Sequence, residues 1–220
     1  MKKAFIPLLS VAAAMFAYAP VMIAQAPSES TMGLVFKIFY FHAPAGMMML
    51  LSAVVCGVAS GVYLWRRRTG ADHVAMAAAE LTALFGLIVI LTGPLWARRA
   101  WGVWWVWDAR LTMSFVGWLI AVSYLFVRKY AGPGSDKLAA ALALFGSVNV
   151  PFIYVSVNVW RTMHPKTTVV PTLPKVMAEP FWFSVTAMLL LYVLLMTARV
   201  HLERQRAALD ELYLAEEDLR

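Results

Sequence analysis

A chain of 220 residues that is 62% hydrophobic and only 14% charged, with a mean hydropathy of +0.71, does not describe a water-soluble domain, which is nearer a quarter charged. Each membrane-spanning helix takes ~20 apolar residues, so this length accommodates several spans and excludes a separate soluble enzyme domain. The formal net charge is +7, but Lys and Arg are dispersed between apolar stretches, which argues for a membrane surface and against nucleic acid as the partner.

Long apolar runs bounded by charge fall at residues 4–24, 44–65, 74–95, 111–127, 138–158 and 181–198, which predicts an all-α integral membrane protein with six transmembrane helices in a single domain. The first run follows Lys2 and Lys3 and ends at Ala24-Gln25-Ala26, a pattern also found at signal-peptide cleavage sites. Its apolar stretch is longer than such a leader normally has, which favours an uncleaved span. Removal would leave five spans. The second run holds Cys56, the chain's one cysteine, which excludes an intrachain disulfide, a Cys-based zinc site and a C-x-x-C-H haem attachment.

Glu80 lies within the third run with no Lys or Arg evident to pair with it. It reads as a helix-packing hydrogen bond, a contact with a small partner subunit or part of a proton path. Gly132-Pro133-Gly134 marks the turn between the fourth and fifth runs. Asn149 and Pro151 predict a kink in the fifth. The tail, 199–220, carries Leu202, Leu209 and Leu212 at helical spacing and reads as a solvated extension of the last span.

Lys and Arg collect on the cytoplasmic side of membrane proteins. With the N-terminus inside, Lys2, Lys3, Arg66, Arg67, Arg68, Arg128, Lys129, Lys137, Arg199, Arg204, Arg206 and Arg220 are cytoplasmic, twelve against seven in the outer loops. Both termini are then cytoplasmic. The seven include Arg98, Arg99 and Arg110, gathered in one outer segment, 96–110, that also holds five of the nine tryptophans.

An aromatic belt explains Trp65, Trp118 or Trp182, but five indoles among three arginines and one aspartate exceed what a belt requires. If the segment is helical, Trp101, Trp104, Trp105 and Asp108 share a face. With Trp107 beside them, they form a broad indole surface next to one carboxylate. Such a surface suits a flat, largely apolar, anionic ligand that lies on the rings and directs its acids at the arginines. Haem meets that description. A quinone lacks the carboxylates and a lipid lacks the plane.

Iron needs axial ligands. Of four histidines, His73 and His201 fall on the cytoplasmic side and read as ordinary polar residues. His42, in Phe39-Tyr40-Phe41-His42-Ala43-Pro44, and His164, in Thr162-Met163-His164-Pro165, share the outer side with the tryptophans. The nearby prolines discourage helix and predict that each imidazole sits in a fixed turn. Taken singly, either histidine reads first as a polar anchor at the interface. As a pair beside the aromatic loop they become candidate ligands.

The stretch Trp101-Gly-Val-Trp104-Trp105-Val-Trp107-Asp108-Ala-Arg110-Leu-Thr112 resembles the WWD motif of haem-handling proteins of bacterial cytochrome c maturation. With six spans and one histidine in each flanking outer loop, nearly the whole chain is similar to the haem exporter protein C family. That resemblance implies a multi-pass protein of the bacterial inner membrane, not an enzyme, holding haem b non-covalently at the periplasmic face. His42 and His164 would be its axial ligands and the WWD segment its platform. It also implies delivery to a periplasmic haem chaperone, within a complex containing the ATPase and membrane subunits of an ABC transporter and a small single-span accessory protein. This chain has no phosphate-binding G-x-x-x-x-G-K-[ST] loop, so ATP hydrolysis falls to a partner. Propionate pairing by Arg98 or Arg99 is expected from charge alone, outside the family motif. Asp108 is expected to orient a backbone or indole donor, since an unpaired carboxylate against porphyrin is costly.

Two other functions compete. A quinol-oxidising b-type cytochrome would place histidine pairs within spans, and no span carries one in its middle. A haem permease would need a polar path, and only Glu80 and Asn149 interrupt the apolar interiors.

Overall fold

The computed structural model describes residues 2–30, 32–132 and 134–217, so Pro133 of the expected turn and Arg220 of the tail lie outside the described residues. The described residues form six helices: α1 (Lys2–Gln25), α2 (Phe39–Arg66), α3 (Thr69–Trp101), α4 (Ala109–Tyr130), α5 (Ser135–Val159) and α6 (Lys175–Glu217), with a short 3-10 turn, Leu34–Ile38, leading into α2. All six are long and apolar enough to cross a membrane. Each expected span lies inside one of them, and the helices overrun the apolar runs at almost every end. The overrun follows from physics: hydrogen bonding continues past the hydrocarbon boundary, while hydropathy falls as soon as charge appears. α6 is the extreme case. It continues through the whole described tail, with Leu202, Leu209 and Leu212 exposed.

The interior is built in three layers along the bundle. At the inner end, the end assigned to the cytoplasm, small residues Ala75, Ala78, Ala79, Ala139 and Ala143 surround Cys56 and Tyr124. Small side chains let backbones approach where lipid supplies no hydrophobic drive between helices. The limit is reached at Gly57 of α2, where a Cβ would collide with the Ser147 side chain on α5. Mid-bundle packing comes from Met48, Met49, Leu81, Phe85, Met188 and Tyr192.

The outer layer joins Ala19, Ile23 and Ala26 to Phe36, Tyr40 and Phe181. Ala26, at the edge of the signal-like sequence, is therefore core. Lys37 Nζ donates to the Ala24 carbonyl at 2.8 Å, occupying an acceptor that the end of α1 leaves open.

Polar ties close the inner end. Arg128 and Asp72 form a two-point pair, 2.7 Å at each bond, the planar geometry a guanidinium offers a carboxylate. Tyr63 donates to Asp136. Glu80 is not unpaired: Arg199, one of the first charged residues of the tail, reaches back along α6 and binds it through Nε and Nη2, and binds Glu203 at 2.7 Å. The reach of the arginine stem hides such a pairing from sequence. Asn149 donates to the Met113 carbonyl on α4 at 2.9 Å, and α5 remains one helix through Pro151. Trp118 is not a belt residue either. Its indole donates to the Ala83 carbonyl on α3 at 3.0 Å and stacks on Phe115.

Candidate functional site

The outer ends of α2 to α5 carry the residues singled out by sequence. α3 holds helical form through Trp96, Arg98 and Arg99 to Trp101, then stops at Gly102, whose φ of 76° places it in the left-handed region that glycine enters without cost. Arg98 donates to the Gly102 carbonyl and lies 5.9 Å over the Trp104 ring. Residues 102–108 are not helical.

The expected helical face of Trp101, Trp104, Trp105 and Asp108 is therefore not what forms. A glycine stop and a new helix start only seven residues apart leave no room for it. Trp104 is 56% and Trp107 74% exposed. Trp105 turns inward, edge-on to Trp107 at 5.7 Å and to Phe115 at 6.2 Å, while Trp96 and Trp101 meet edge-on at 5.6 Å.

Asp108 starts α4. Its Oδ1 accepts from Leu111 N at 2.8 Å, a helix N-cap that also places negative charge at the positive end of the helix. Its other oxygen accepts from the Thr162 hydroxyl and from Met163 N at 3.1 Å. One carboxylate thus fastens the tryptophan loop to the loop after α5. Asp108 does orient backbone donors, as expected, together with a hydroxyl.

The Thr162 oxygen accepts in turn from His164 N at 3.1 Å, and His164 Nδ1 lies 2.9 Å from the Pro165 carbonyl. A carbonyl only accepts, so Nδ1 carries the proton and Nε2 keeps its lone pair. Burial, and then the charge of Arg110, push the His164 pKa down to about 4, which keeps the ring neutral at physiological pH.

His42 departs from the expected turn. The 3-10 turn feeds α2 from Phe39 onward, so His42 is helical and Pro44 lies inside the helix, buried. One helical bond, to the Tyr40 carbonyl, is forgone near the start of a long helix that packing supports. His42 Nδ1 lies 2.8 Å from Thr92 Oγ1 on α3, and that hydroxyl donates to the Ile88 carbonyl at 2.6 Å. With its single hydrogen committed there, Thr92 accepts from His42, and Nε2 is again the free nitrogen. The ring lies against Gly93, where a Cβ would come within 3.4 Å of His42 Cε1.

The two imidazoles are within electrostatic reach of each other and of Arg110, whose guanidinium donates to the Ile153 carbonyl. Arg99 is exposed at the end of α3.

Two further features mark this end. The buried Nε1 donors of Trp96 and Trp105 have no hydrogen-bond partner among the described residues, although a buried N–H is costly to leave unmade. Beside Asp108, a cleft of about 840 Å³ opens between Trp107, Trp160, Arg161, Met163 and Lys166. Among the described residues no cluster of three or more His, Cys, Asp and Glu side chains forms a metal cage. What the chain offers a metal here is a pair of imidazoles beside aromatic rings and cations. That donor set fits the iron and carboxylates of haem. Thr92 and Thr162 escaped the sequence reading. Thr162 had a faint signal, two residues before a histidine where a hydroxyl can accept from the backbone; Thr92 had none.

The Heme exporter protein C family model matches residues 1–216. Heme exporter protein C of Bradyrhizobium diazoefficiens is 33% identical over 198 residues, covering 87% of this chain and 75% of the relative. The Escherichia coli K12 protein of the same description is 31% identical over 201 residues, 86% and 80% of the two chains, and that of Haemophilus influenzae 31% over 192, 82% and 76%. With its six spanning helices, the chain is a multi-pass inner-membrane protein and belongs to the Heme exporter protein C family.

Proposed function

We propose that this protein binds haem b non-covalently at the periplasmic end of the bundle, with His42 and His164 as axial ligands, and delivers it to a periplasmic haem chaperone for cytochrome c maturation. The observation that carries the reading is the setting of the two imidazoles: each holds Nδ1 against an oxygen, 2.8 Å from Thr92 Oγ1 and 2.9 Å from the Pro165 carbonyl, the contact that leaves Nε2 to ligate a metal. Relatives named for haem export support it. Trp101, Trp104, Trp105 and Trp107 supply the aromatic platform, Asp108 positions the His164 loop, and Arg98, Arg99 and Arg110 supply positive charge toward the propionates. The unpartnered indole N–H groups of Trp96 and Trp105 are donors of the kind a carboxylate accepts from. Two imidazoles saturate the iron, which suppresses oxygen chemistry in a protein that carries haem and catalyses no reaction. An ABC transporter ATPase, its membrane subunits and a small single-span protein complete the assembly, with ATP hydrolysis outside this chain.

The test is an optical spectrum with haem quantification on the detergent-purified protein. A six-coordinate, bis-histidine spectrum is expected, with haem content lost in His42→Ala and His164→Ala and retained in His201→Ala. A haem-free preparation from haem-sufficient cells, unable to take up added haemin, refutes the proposal.

A further inference from the structure

We infer that Thr92 is a positioning residue for the His42 ligand: its hydroxyl fixes the tautomer and orientation of the imidazole and thereby sets both haem affinity and iron reduction potential. The inference rests on the axial role proposed for His42 and adds a residue on a different helix, fifty positions away in sequence. The two candidate ligands are held differently. The His164 proton goes to the carbonyl of the next residue, within its own loop. The His42 proton goes to a side chain of the neighbouring helix, so its orientation depends on one hydroxyl.

That hydroxyl is itself constrained. Thr92 donates to the Ile88 carbonyl one turn back on α3 at 2.6 Å and presents its oxygen to His42 Nδ1 at 2.8 Å. Gly93, next in sequence, places bare backbone beside the ring; a Cβ there would touch Cε1 at 3.4 Å. The ring is thus set against bare backbone and pinned at one nitrogen. Without the Thr92 oxygen, the other tautomer, with Nε2 protonated and unable to ligate, loses its disadvantage. An acceptor on Nδ1–H also makes the imidazole a stronger donor to iron, which favours the ferric state.

The test uses the full-length protein in detergent, with haemin titration and spectroelectrochemistry on Thr92→Val, Thr92→Ser, His42→Ala and Thr186→Val. Thr186 makes the same bond to the carbonyl one turn back, at 2.8 Å on α6, with no histidine bonded to it among the described residues, so its variant controls for the loss of a helical hydroxyl. Thr92→Val is expected to weaken haemin binding roughly tenfold, as losing a supporting hydrogen bond does at metal-ligating histidines, and to raise the reduction potential. Thr92→Ser restores both, and Thr186→Val changes neither. If His42→Ala loses haem while Thr92→Val matches the wild type, the inference on Thr92 fails and the haem site stands. Equal weakening by Thr92→Ser and Thr92→Val removes the hydroxyl from the explanation and also overturns it. Unchanged haem binding in His42→Ala overturns the axial assignment and this inference with it.

Discussion

The acids at the two ends of the bundle have different partners. At the inner end acids meet bases within the chain: Asp72 with Arg128, Glu80 and Glu203 with Arg199, and Asp136 with the Tyr63 hydroxyl. At the outer end seven cations face three acids, Glu29, Asp108 and Glu179. Asp108 binds a hydroxyl and backbone N–H groups, and Glu179 makes a long, exposed contact of 3.7 Å with Lys175, the kind worth little. Among the described residues, the buried indole N–H groups of Trp96 and Trp105 have no partner there. The inner acids nearest the core are thus paired inside the bundle, whereas the outer end offers indole donors and cations suited to an acidic ligand from outside the chain.

The largest effect that separates the two ends is expected from Glu80→Gln or Arg199→Met. Arg199→Met leaves Glu80 and Glu203 without their counter-charge, and Glu80→Gln leaves Arg199 with Glu203 alone. Because the pair is partly exposed, the loss of stability should be about 2 kcal/mol, below that of a fully buried pair. It is read as a lower unfolding temperature in detergent, with haemin affinity unchanged. A fall in haemin affinity of the folded variant would mean that the ends are coupled and the contrast is false.

Asp108→Ala acts at the other end. Losing the N-cap costs about 1 kcal/mol, and releasing Thr162 and Met163 frees the His164 loop, so haemin affinity should drop about tenfold. Asp108→Asn keeps an acceptor for Leu111 N and should lie between the two. Equal affinity in all three proteins would detach Asp108 from the site.

The His164 imidazole sharpens the contrast through pH. An unfolded chain protonates histidine near 6.5, whereas native His164 resists until about 4. Between those values the unfolded state binds more protons, so His164's contribution to stability is complete above 6.5, declines as pH falls, and changes no further below 4. NMR titration of the haem-free protein should show the His164 ring titrating near 4, and Arg110→Met should move it toward 6.5, because a repelling charge has gone. Titration near 6.5 in the unmodified protein would place the ring in water and remove its readiness to ligate.

Sequence alone exposed what composition and spacing encode. Six apolar runs mark six helices because the bilayer demands long apolar stretches, and the tryptophan segment and His42 with His164 stand out against the polar anchors expected at an interface. What remained hidden depends on which helix lies beside which. Arg199 finds Glu80 across 119 positions and His42 finds Thr92 across 50; each pair joins two different helices, which periodicity along one helix cannot report. The error over the Trp101 to Asp108 face has a local origin. Spacing of three and four suggests a helix, but Gly102 ends one and Asp108 begins another, and these stop and start signals override a pattern of four residues.

The smallest effect separates two jobs that Arg98 could perform. Its guanidinium lies over the exposed Trp104 ring and donates to the Gly102 carbonyl, contacts worth about 0.5–1 kcal/mol at an accessible site. As a proposed propionate partner it has a second task. Arg98→Ala should therefore weaken haemin binding only about threefold, in line with that energy, and haemin dimethyl ester, which lacks the charged propionates, should show less of the difference. An identical loss with both ligands would assign Arg98 wholly to shaping the end of α3. In that case the exposed Arg99 becomes the cation to test against the ester.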